Sequence, residues 1–180
     1  MGDKAVTLGM RLHGQSSSLW DMLHDSFLRA VSSDPHTETA NITIESEAIN
    51  RFHGFPLGGR FELKFSGVES LEVLMARRVG AQGRRLESAD WSRFESTFAD
   101  VDGEKGGRYQ ILDGTAAHAE DQVEFVLSAL VDHAGSYGTR EDVLSELRIV
   151  ADDLDIIGPA GDNYSLDAFL ALGSAYRRTR

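Results

Sequence analysis

At 180 residues, 41% hydrophobic and 26% charged, the chain is apolar enough to bury a core, which excludes a disordered polypeptide and makes one domain over 1–180 the expectation. It has no cysteine, so disulfides, thiolate metal sites and a catalytic thiol are excluded, and a reducing, cytoplasmic setting fits. A net charge of −11 argues against nucleic acid as a partner and for a basic one, although a negative surface also serves solubility.

The acid is concentrated late. Residues 1–112 carry 16 acidic and 13 basic side chains, and residues 113–180 carry 13 and 5. The opening stretch, Met1 to Gly14, has no continuous apolar run, so it does not read as a secretory signal. No apolar run elsewhere approaches the roughly 20 residues that span a bilayer, so no membrane role is expected.

In chain order, Ser16 to Asp25 reads as a short helix, with Ser18 as N-cap and Asp21 completing a capping box. Phe27 to Ser33 and Glu38 to Ile49 read as two strands around the turn Asp34-Pro35-His36-Thr37, because Ala40, Ile42 and Ile44 alternate with Asn41, Thr43 and Glu45. The loop Asn50 to Gly59 leads to the clearest strand, Arg60 to Phe65, where Phe61, Leu63 and Phe65 share a face. Ser66-Gly67 is expected to turn the chain into a further strand, Val68 to Val79.

Residues 88–100 are ambiguous between a helix capped by Ser88 and a strand. The hairpin loop signals Asp102-Gly103 and Gly106-Gly107 favour a hairpin of Trp91 to Ala99 with Arg108 to Leu112. From Thr115 onward the spacing is helical. Val123, Val126, Leu127, Leu130 and Val131 form one stripe, ended by Gly135. Thr139 and Asp142 make a second capping box, after which Val143, Leu147, Val150, Leu154 and Ile157 step by fours and threes up to Gly158-Pro159. Ser165 opens a last helix carrying Phe169, Leu170 and Leu172.

Strands first and helices afterwards define an α+β class: an antiparallel sheet of about four to six strands from the first two-thirds of the chain, packed against C-terminal amphipathic helices. The change of period near Asp113-Gly114 suggests two subdomains, 1–112 sheet-rich and 113–180 helical and acidic.

Catalytic signatures are missing: there is no GxGxxG, GxxxxGK[ST], GxSxG or HExxH, so no cofactor is called for and the balance tilts away from an enzyme. Neighbouring His24 and Asp25, with His13, could contribute to a metal or small-molecule site between sheet and helices. Adjacent helical residues diverge by about 100°, however, and a hydrogen bond to a turn is the simpler role. The stretch from Asp153 to Gly158 starts like a calcium loop but places Ile157 and Tyr164 where oxygen ligands are required, which rules the site out. Arg77, Arg78, Arg84 and Arg85 bracket a loop, and no aromatic residues are interleaved to make a nucleic-acid platform. The remaining candidate is a partner-binding face on the helix from Thr139 to Ile157, where Glu141, Asp142, Glu146, Asp152, Asp153 and Asp155 gather around a lone Arg148. Like charges three or four apart destabilise a helix, so solubility or a basic partner must account for them.

Leu23-His24-Asp25-Ser26, a hairpin, and then Phe65-Ser66-Gly67-Val68 with Leu71 resemble small uncharacterised bacterial proteins, some of them grouped with the immunity proteins of polymorphic toxin systems. The likeness covers residues 20–75 and implies a non-enzymatic bacterial binding protein, one that could neutralise a toxin; the acidic helical face adds the expectation that the partner is a basic protein such as a nuclease toxin. The likeness assigns no functional residue. The competing expectations are a small-molecule binder or enzyme near His24 and Asp25, and a homodimer joined through an exposed strand edge.

Overall fold

The computed structural model describes residues 16–24, 26–78, 84–95, 107–119, 121–133 and 144–179. Their elements are β1 (Ser16–Ser18), α1 (Trp20–Leu23), β2 (Phe27–Asp34), β3 (Thr39–Glu45), α2 (Glu47–His53), β4 (Arg60–Arg78), β5 (Arg84–Ala89), β6 (Gly107–Ala119), β7 (Gln122–His133), β8 (Leu144–Ile157), β9 (Asn163–Tyr164) and α3 (Leu166–Arg177). A helical turn covers 91–95. The described strands form one antiparallel sheet of nine.

Six of the strands close on themselves. β2 pairs with β3, β3 with β4, β4 with β8, β8 with β7, β7 with β6, and β6 returns to β2 through Phe27 opposite Gln110 and Leu28 opposite Tyr109. Closure gives most of the sheet an inside and an outside, the condition under which period-two alternation pays off. Phe61, Leu63 and Phe65 of β4 are buried while Glu62 and Lys64 are exposed. The interior takes Ile42 and Ile44 from β3, Phe125 and Leu127 from β7, and Leu147 and Ile149 from β8. Phe65 and Phe125 meet edge to face, with ring centroids 5.3 Å apart.

Short helices cover one flank. Ser165 caps α3 as its spacing implies, its hydroxyl accepting from the Ala168 N–H at 3.2 Å. This helix drives Phe169 against Phe61, at 5.4 Å between centroids. His53 of α2 donates from Nε2 to the Leu172 carbonyl at 2.9 Å. α1 lies so close to α3 that a side-chain carbon at Gly173 would stand 2.5 Å from the Met22 nitrogen. Away from these helices, the 91–95 turn brings Phe94 to Tyr109, 6.2 Å between rings, and both are buried. Burial raises the Tyr109 phenol above its ordinary value of 10, an effect that the neighbouring buried Ser145 hydroxyl partly offsets.

The antiparallel sheet agrees with the sequence reading, but it is larger, and the late helices do not form. Residues 122–133 and 144–157 are strands β7 and β8; of the expected C-terminal helices, only the last is present among the described residues. The physical reason is that both faces of β7 and β8 are partly apolar. Val126, Leu130 and Val150 are half-buried on the outside, opposite the interior Val123, Phe125, Leu127, Leu147 and Ile149. Inner and outer apolar residues read together mimic a helical stripe, whereas the β-branched content points to strand. The subdomain limit at 112/113 falls inside β6.

Smaller corrections follow the same logic. Val68 to Val79 is not a separate strand, because β4 runs unbroken for 19 residues through Ser66-Gly67. Residues 47–53, expected as strand end and loop, form α2. Leu19 rather than Ser18 is the N-cap of α1. The hairpin preferred over helix for 91–99 gives way to a helical turn over 91–95, because Asp90 caps it: its Oδ1 accepts from the Arg93 N–H at 2.8 Å and from the Ser92 hydroxyl at 2.6 Å. Those bonds, the Ser92 one first, hold the Asp90 carboxyl below its ordinary 3.8.

Candidate functional site

Three irregularities in neighbouring strands meet at one corner of the sheet. The β2–β3 turn is tightened by Asp34, whose Oδ1 accepts from the His36 N–H at 2.9 Å, and it ends on Glu38 with φ at +51°. The Glu38 carbonyl accepts from the Val68 N–H at 2.8 Å, tying the turn to the middle of β4. There Gly67 adopts φ +62°, and the β4–β8 register slips between Val68 and Ser70. Across the slip, inward positions on β8 change from odd (147, 149 and 151) to 156. Asp152 folds over Gly67, such that a Cβ there would lie 2.8 Å from the Asp152 Cβ and closer still to its carboxylate. A bulge with a left-handed glycine is the usual way a long strand turns a corner, and here it leaves acidic side chains outside.

Asp34, Glu38, Glu69, Asp152, Asp153 and Asp155 are all exposed at or beside this corner. Asp153 stands opposite Ser66, and Ser66 opposite Thr39, which brings the end of β2 and the β2–β3 turn, with Asp34 and Glu38, to the same corner as Glu69 of β4 and the three acids of β8. The nearest cation by register is Lys64, opposite Asp155, and its Nζ lies 3.4 Å from Glu62. Like charges on adjacent strands cost stability rather than add to it.

Of the six acids picked out from the sequence, the structure groups Asp152, Asp153 and Asp155. Glu146 is also on β8 but half-buried, seven residues from Asp153, or about 23 Å at 3.3 Å per residue. Glu141 and Asp142 lie outside the described residues, as do Asp25 and His13. The helical face that was to hold these acids does not exist, because residues 144–157 are a strand. Asp34, Glu38 and Glu69 were missed. The signal was present in two recognised turns, Asp34-Pro35 and Ser66-Gly67, which the β3–β4 pairing brings together.

His24 caps the C-terminal end of α1 and stacks on Trp20, 3.8 Å between ring centroids. Arg77 stands opposite Arg85, and Arg78 opposite Arg84, in the β4–β5 ladder. Among the described residues, no group of three or more histidines and carboxylates is arranged to hold a metal ion, and no helix is long and apolar enough to cross a membrane. The corner acids point into solvent from three strands, an arrangement that presents negative charge to ammonium or guanidinium groups. No family model, curated protein or solved structure matches the chain.

Proposed function

We propose that the chain is a non-enzymatic binding protein of the immunity type, which docks a basic protein through the acidic corner formed by Asp152, Asp153 and Asp155 with Glu38 and Glu69. The observation that carries this reading is the grouping itself: exposed carboxylates from the β2–β3 turn, β4 and β8 come to one corner where the β4–β8 register slips, with Lys64, opposite Asp155, the nearest cation by register. A net charge of −11 adds a long-range field of the same sign. Such a field accelerates encounter with a cationic partner by about 10- to 1,000-fold and can cover a phosphate-binding cleft. The resemblance of residues 20–75 to small bacterial proteins, some of them grouped with immunity proteins, is in keeping with this reading.

The test begins with the genes beside this one: the reading expects a basic toxin among them, and that toxin is the probe, with association followed by stopped flow. The variant D152K/D153K/D155K should associate at least about tenfold more slowly at low ionic strength, and rising salt should slow the wild type. A charge-matched variant away from the corner, E47K/E95K/D167K, should retain more of the rate. Equal rates for both variants, or a wild-type rate indifferent to salt, would overturn the proposal.

A further inference from the structure

We draw no further inference here: the strongest candidate, the exposed aromatic patch where Phe52 of α2 meets Tyr176 of α3, carries nothing because nothing in the structure shows what covers it.

Discussion

Replacing Gly173 with alanine should reverse the sign that helix propensity assigns. Within a helix, alanine is favoured over glycine by about 1 kcal/mol, so an isolated α3 would gain from the change. In the folded protein the new methyl would lie 2.5 Å from the Met22 nitrogen, 2.6 Å from the Asp21 carbonyl carbon and 2.7 Å from its oxygen. These are backbone atoms, so α1 itself must retreat by about 1 Å to restore ordinary contact. Met22 and Leu23, both almost fully buried, move with it. Overpacking costs about 1–3 kcal/mol, and full burial of each of those side chains contributes about 1.5–3 kcal/mol, part of which is lost. After subtracting the propensity gain, the net loss is about 2–3 kcal/mol, a fall in melting temperature of about 5–10 °C for a chain this long. Thermal and urea unfolding, with A171G as a control for propensity at an exposed position of the same helix, measure it. If G173A melts at or above the wild-type temperature, the close packing of α1 on α3 is wrong.

Gly67→Ala should cost about 1–2 kcal/mol for the left-handed backbone, with a further loss from collision with Asp152. D152G should restore only that second part, and a double-mutant cycle in urea showing simple additivity would contradict the contact. The lowered Asp90 carboxyl contributes stability that is complete above 3.8 and fades as pH falls through its folded value. D90N should therefore flatten the acid limb of the stability curve, and an unchanged limb would remove Asp90 as the cap. Tyr109, raised by burial, should ionise above its ordinary value of 10 in an alkaline ultraviolet titration, as should Tyr164, raised by burial and by Asp162, and Y109F should delete one such late step. The contribution of Tyr109 is intact below pH 10 and lost as pH rises beyond, so wild-type stability should fall on the alkaline side more steeply than that of Y109F.

Legibility in the sequence followed how one-sided each strand is. Phe61-Glu62-Leu63-Lys64-Phe65 alternates cleanly because its outer face meets water, and the strand was plain. The β2–β3 hairpin was equally plain, with a proline turn between alternating runs. In β7 and β8 the outer face is half-buried, so Val126, Leu130 and Val150 fill the gaps in the alternation and a period of 3.6 fits as well as 2. Beside the bulge on β4, the alternation of β8 also changes phase midway, from 151 to 156. The candidate site was legible in part for the same reason. The late acids drew notice as a charge excess, but their neighbours Glu38 and Glu69 arrive through pairing between strands far apart in sequence, which no local window contains.

The pairing of β4 with β8 joins residues that leave the ribosome some 70 to 95 positions apart, from Met75 with Ser145 to Glu62 with Ile157. Until that late strand emerges, β4 has an uncovered edge of backbone donors and acceptors together with its large phenylalanines. The nascent protein therefore passes through a stage that is both slow to resolve and adhesive. Cells making it quickly, or a gene cut before residue 144, would meet that hazard as insoluble protein rather than as a defect in binding.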